Sequence, residues 1–202
     1  LTLTKPSNVL AGDLLLIIVG NDDNTASAQW DDSTLKPSGF TLINESGSTA
    51  SDAHSAAFYR VADGTESTTI NVPAQSSDDY WGYYLHVTDV NPSNPINVIG
   101  SAYNGGSSGT HNVPGVTTTA ANALAFYVLS GDGGDLDPYS VGGAWTEGDE
   151  IDAGTGGGNS SGTWGTRLMT SPGATGNASV TLTAADSASG FQFALAPALG
   201  QG

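Results

Sequence analysis

The side chains in this sequence that could do chemistry are carboxylates, aromatic rings, amides and hydroxyls. Gly131 to Asp137, GDGGDLD, puts three carboxylates, Asp132, Asp135 and Asp137, into one glycine-rich loop. Hard oxygen ligands at that spacing suit Ca²⁺, which takes about six to eight of them. The spacing is neither that of an EF-hand loop nor that of the calcium-binding nonapeptide repeats, and a solvated acidic loop is the plainer alternative. Four Trp and seven Tyr offer flat faces on which sugar rings could stack. The densest group runs from Tyr80 to Tyr84, which makes Trp81, Tyr83 and Tyr84 the stacking candidates; the competing reading is strand packing. Three N-x-S/T sequons, at Asn44, Asn159 and Asn177, could carry N-linked sugar.

Catalysis finds less support. His54, His86 and His111 lie in separate segments with no metal-ligand spacing, and no G-x-S-x-G nucleophile elbow occurs. Paired carboxylates for glycoside hydrolysis are a matter of spatial, not sequential, separation. Cysteine is absent, which removes disulfides, thiolate metal sites and Cys nucleophiles. Lys and Arg together number 4 against 20 acidic residues, a formal net charge of -16. So few cations cannot coat a phosphate backbone or an anionic bilayer, so neither nucleic acid nor acidic membrane is an expected partner. No apolar run approaches the roughly 20 residues of a transmembrane helix, so membrane insertion is not expected. The reading is a protein that is not an enzyme.

The elements that must position these residues are strands. Asp outnumbers Glu sixteen to four, Gly occupies 28 positions, and long straight-chain helix formers are scarce. Such an alphabet writes turns and strands. Leu14–Val19 is a continuous apolar run, the pattern of a strand buried on both faces, and Asn21 to Ser38 reads as a surface excursion. Gly39–Ile43, Ala56–Val61, Ser67–Val72 and Trp81–Val87 follow as further strands. The second half repeats this order: Asn122–Ser130, Ala144–Thr146, Trp164–Met169, Ala178–Leu182 and Phe191–Leu195. The two arginines, Arg60 and Arg167, fall at matching positions, which suggests a structural ion pair in each half. The expected fold is therefore all-β: one antiparallel, jelly-roll-like β-sandwich over residues 1–202. Its two sequence-duplicated halves span about 1–90 and 113–198 with a linker at 89–113, and each half is expected to contribute to both sheets.

Lys5-Pro6-Ser7, then Ala11-Gly12-Asp13-Leu14-Leu15, then Pro37 to Leu42 and Phe58 to Ala62 carry a resemblance. They resemble a β-sandwich module of secreted bacterial and phage-associated proteins, whose pattern runs roughly KPSG…AGDLLLA, SGWTLI, YYRVA. Phe40 replaces the usual Trp, which Trp145 keeps in the second half. That family is largely of unknown function and has no assigned catalytic residues, so the resemblance implies an extracellular or virion-surface module, not a reaction. The chain is also similar to protomers of extracellular helical filaments, β-sandwiches that complete one another's sheets with a terminal strand. This implies that copies of the chain are its partners. Leu1 and Leu3 at one end, or Phe191, Phe193 and Leu195 near the other, are the candidate assembly-strand residues. The expected function is a non-enzymatic subunit of an extracellular filament or appendage. A carbohydrate-binding or host-adhesion module of a phage fibre or bacterial surface is the alternative, and a jelly-roll polysaccharide hydrolase or lyase is third.

Overall fold

The computed structural model describes residues 1–22, 30, 35–47, 52–73, 79–134, 138–154 and 159–198. Their regular elements are all strands. The first half holds β1 (Thr2–Thr4), β2 (Leu14–Asp22), β3 (Thr41–Gly47), β4 (Ala53–Val61), β5 (Thr69–Asn71) and β6 (Tyr80–Val87). Next come β7 (Ile96–Ile99), β8 (Tyr103–Val113), β9 (Thr117–Thr118), β10 (Ala123–Asp132) and β11 (Ser140–Val141). The chain continues through β12 (Thr146–Asp152), β13 (Ser160–Met169), β14 (Gly173–Ala174) and β15 (Ala178–Leu195).

Two antiparallel sheets pack face to face. One has the order β3-β4-β2-β6, and the other has β12-β13-β10-β15, with β7, β8 and β11 also pairing with β15. The chain is an all-β sandwich. Between the sheets lie Leu14, Leu16, Ile18 and Trp81 from one side and Phe126, Val128, Phe191 and Phe193 from the other. Each sheet is also covered on its outer face. Leu15, Ile17, Val19 and Phe58 pack under Leu3, Trp30 and Phe40. On the far side Ala125, Tyr127 and Leu129 pack with Tyr139, Trp145 and Val180. Strands β2 and β10 thus have two buried faces, which is the physical reason their sequences are apolar at nearly every position. Each such Leu or Ile, fully withdrawn from water, contributes about 1.5–3 kcal/mol.

The two halves follow the same course. In each, the first strand is central, the next main strand lies at an edge, and a two-stranded ribbon (β1–β5 or β9–β14) stands apart. Arg60 stands opposite Leu15, and Arg167 opposite Ala125. The edge strands break register at equivalent places, between Leu42 and Asn44 in β3 and between Glu147 and Asp149 in β12.

Several expectations are corrected. Each half builds a sheet of its own instead of contributing to both, because strands joined by short connections pair locally. The segment 89–113 is not a linker, since it carries β7 and most of β8, both paired with β15. Ala178–Leu182 is not a separate strand but the start of the 18-residue β15. The excursion after β2 contributes Trp30, which is buried in the outer layer. Among the described residues Arg167 makes no counterpart of the Arg60–Asp63 ion pair; its guanidinium donates to the Thr175 carbonyl.

Candidate functional site: an open sheet edge and its groove

Unpaired edge strands invite pairing with other chains, and proteins normally guard them with charge, bulges or cover. Three edges here are guarded. Strand β12 carries Glu147, Asp149, Glu150 and Asp152 and is bulged at Gly148. Strand β3 is bulged and tied to the other sheet, with Asn44 Nδ2 donating to the Gly100 carbonyl at 3.0 Å and Ser46 Oγ to the Tyr103 carbonyl at 2.5 Å. Strand β7 meets the segment at Thr119, whose N–H donates to Asn97 Oδ1 at 3.0 Å.

Among the described residues, strand β6 is neither bulged nor charged, and its tie to the other sheet is the buried Trp81 Nε1–Ser130 Oγ hydrogen bond. Its eight residues, YWGYYLHV, include no Asp, Glu, Lys or Arg, and they pair with β2 in unbroken register. Among the described residues, β2 is the only strand that β6 pairs with.

Beside this edge the two sheets leave a groove. A cavity of about 400 Å³ is lined by Leu85, Val87, Leu124, Phe126, Trp164 and Thr166, among others. A second cavity of about 150 Å³ shares Val87 and Leu124 and continues to Val90, Leu168 and Leu195. Leu168 is 59% exposed, an apolar side chain left in water at the groove's end. The Trp164 indole stacks on Phe126 with ring centroids 6.1 Å apart, and Tyr83 meets its edge at 6.0 Å. A Cβ at Gly148 would fall 2.5 Å from the indole, so the bulge glycine lies flat against it. Burial raises the Tyr83 hydroxyl above its ordinary pKa, and the β12 carboxylates add to the shift. The groove is therefore an apolar trough with an acidic rim.

The aromatic trio separates along the strand. Trp81 is 1% exposed and lies between the sheets, its Nε1 donating to Ser130 Oγ at 3.1 Å. It is removed as a stacking platform because Gly20 and Gly162 press against the indole, where a Cβ on either would collide. Tyr83 points inward with it, and Tyr84 packs on the opposite face against the outer layer.

The terminal segments differ as well. Phe191, Phe193 and Leu195 are buried in a strand paired on both sides, with β10 and with β7 and β8, so donating them would dismantle the sandwich. Leu1 is exposed and Leu3 buried in the outer layer, on a three-residue strand that among the described residues pairs with β5 alone.

Of the calcium candidates, Asp135 and Asp137 lie outside the described residues. Asp132 ends β10, where burial, with Asp186 and Asp52 nearby, pushes its carboxyl up to about 6. Among the described residues no group of three His, Asp or Glu side chains comes together to hold a metal. Of the sequons, Asn44 is engaged with Gly100, Asn159 is half-buried, and Asn177 is exposed and accepts from the Gly115 N–H at 3.2 Å. The groove residues Leu124, Phe126, Trp164 and Leu168 escaped sequence reading because they come from different strands. The legible signal was β6 itself, an aromatic strand without charge.

Compared with known proteins, the chain matches no family model, no curated protein and no solved structure.

Proposed function

We propose that this chain is a non-enzymatic structural subunit of an extracellular filament or appendage, which assembles by docking a strand of a second copy along β6. One observation carries this reading. Strands β6 and β15 hold the same place in the two sheet orders, yet β15 is paired on its far side by β7 and β8 while β6 has no such neighbour among the described residues. A strand added to β6 would repeat between molecules what β7 does within one. Backbone pairing would supply affinity, and alternate side chains would enter the apolar groove. Of the two terminal segments, Leu1–Thr4 is the one whose release leaves the sandwich closed. At a net charge of -16 the copies repel at long range, so assembly should strengthen with salt.

The test is sedimentation and negative-stain microscopy over a range of protein and salt concentrations, comparing the wild-type chain with Leu168→Glu. That residue is solvent-exposed, so its substitution leaves the core alone. Polymers in the wild type that revert to monomers in Leu168→Glu support the reading; a wild-type chain that stays monomeric throughout removes it.

A further inference from the structure

We propose that a pocket on the outer face of the first sheet, around Arg60 and Tyr84, binds a single neutral pyranose ring. This site is separate from the β6 groove and does not depend on assembly. The pocket encloses about 230 Å³ and is lined by Phe40, Tyr84, Arg60 and Glu66 with the hydroxyls of Ser67 and Thr69, among others. That is below the roughly 300 Å³ at which drug-sized pockets begin, so it suits one ring and not an oligosaccharide.

The polar wall is built before any ligand arrives. Glu66, with a side chain 3% exposed, accepts the Asp63 N–H at 2.7 Å and the Gly64 N–H at 3.2 Å. Arg60 Nη2 meets Asp63 Oδ2 at 2.9 Å and Glu66 Oε1 at 3.5 Å. A guanidinium carries donors on all three nitrogens, and among the described residues Asp63 and Glu66 engage Nη2 alone, which leaves those of Nε and Nη1 for a ligand. Gly39, at φ +80, keeps the approach clear, since a Cβ there would sit 2.9 Å from Nη1. The aromatic wall is Tyr84, braced edge-on by Phe40 with centroids 5.9 Å apart. An aromatic ring and a guanidinium lining one pocket, with two hydroxyl-bearing residues beside them, are the groups that suit a sugar ring, which has a C–H face and a rim of vicinal hydroxyls. Two carboxylates flank the one cation in a strongly acidic chain, so an anion is disfavoured there.

The second half shows what a purely structural arginine looks like. Gln192 occupies the sheet position of Tyr84, opposite Tyr127 as Tyr84 is opposite Ile17. It is buried, with Nε2 donating to the Val113 carbonyl at 2.9 Å and Oε1 accepting from Thr175 Oγ1 at 2.7 Å. Thr175, also buried, takes up Arg167 through its carbonyl. That position is plugged, whereas the one at Arg60 is open.

Saturation-transfer NMR on the whole chain, with methyl glycosides of glucose, galactose, mannose and N-acetylglucosamine and with glucuronate and inorganic sulfate as anionic arms, tests the site. At least one neutral glycoside should bind, and Tyr84→Ala should weaken it about tenfold, the equivalent of one aromatic contact. Arg60→Lys, which keeps the charge but loses the fork, and the exposed pair Ser67→Ala/Thr69→Val should each weaken it without lowering the melting temperature. No transfer to any neutral glycoside, binding only of the anions, or neutral binding unchanged in all three variants would overturn the proposal.

Discussion

The two sheets share a strand order and a pair of bulges, yet they are finished differently. In the second, β15 is flanked on both sides, its outer layer is closed, and the polar groups of Thr175 and Gln192 satisfy one another. In the first, β6 has one partner strand among the described residues, a trough runs beside it, and a pocket stands open at Arg60. Among the described residues, β15 therefore has further strands of the chain beside it and β6, at the matching place, has none. Among the described residues β6 is uncharged and pairs in unbroken register, whereas β3 and β12 are bulged and β12 carries four carboxylates, the devices that commonly guard an edge.

The sharpest way to break the comparison is at Trp81. It stands opposite Gly20 on β6, at the place where Ser189 stands opposite Ser130 on β15. The large ring from one sheet fills the space that the small residues of the other leave, with Gly162 and Ser130 shaped around it. Trp81→Ala should cost about 3–5 kcal/mol, since nothing nearby can collapse into the cavity. Ser189→Ala, losing only a 3.3 Å hydrogen bond to the Ser46 carbonyl, should cost about 1 kcal/mol. Urea denaturation of both variants measures the asymmetry, and equal costs would mean that the two positions are not opposite solutions to one packing problem.

A smaller effect comes from Asp132, at the end where the halves meet. Its carboxyl titrates at about 6 in the folded chain, pushed up by burial and by Asp186 and Asp52, against 3.8 ordinarily. The folded state therefore holds the proton more tightly than the unfolded one. Stability on this account is full below about pH 3.8 and falls as pH rises through about 6. The shift alone would correspond to about 3 kcal/mol, and partial exposure reduces it to about 1–2 kcal/mol. Asp132→Asn should gain that amount at pH 7.5 and nothing at pH 3.5, as read from urea midpoints at the two pH values. A gain independent of pH would assign the effect to hydrogen bonding and not to charge.

How far this was readable from sequence depended on whether a signal was local. The apolar run at Leu14–Val19, and its counterpart within Asn122–Ser130, announced strands with two covered faces. All-β architecture followed from those. Which sheet each strand would join did not, because pairing within a half and pairing between halves bury similar residues. Trp81, Tyr83 and Tyr84 could not be sorted from sequence because β6 has aromatic rings at both parities of the alternation. Ala178–Leu182 and Phe191–Leu195 were expected as separate strands, yet both lie within β15, where register shifts near Asp186 bend the strand. His111 fills that bend, its Nδ1 3.0 Å from the Tyr103 hydroxyl and its Nε2 3.0 Å from the Asp186 carbonyl, a constellation of distant segments. The pocket at Arg60 was half-legible. The repeated arginines were visible, and their divergent partners were not.

The smallest difference between the halves isolates one surface interaction. Asp13 Oδ2 lies 2.7 Å from His86 Nε2 and accepts the Leu10 N–H at 2.8 Å, closing the turn into β2. The matching sites at the start of β10 and near the end of β15 are Ala123 and Ala194, both buried. The Leu10 N–H holds the Asp13 carboxyl below its ordinary value, and His86 adds to the effect. Here the sign is opposite to that at Asp132. The stabilisation is present above the unfolded value of 3.8 and disappears as pH falls through the lower folded value. Because the pair is near the surface, Asp13→Asn should cost no more than about 0.5 kcal/mol at pH 6, and less at 1 M salt, where screening weakens the charged contact. Thermal melts in low and high salt would measure it. A loss several times larger and insensitive to salt would show that Asp13 acts through the turn at Leu10 alone, and that the first half depends on this contact more heavily than its alanine counterpart suggests.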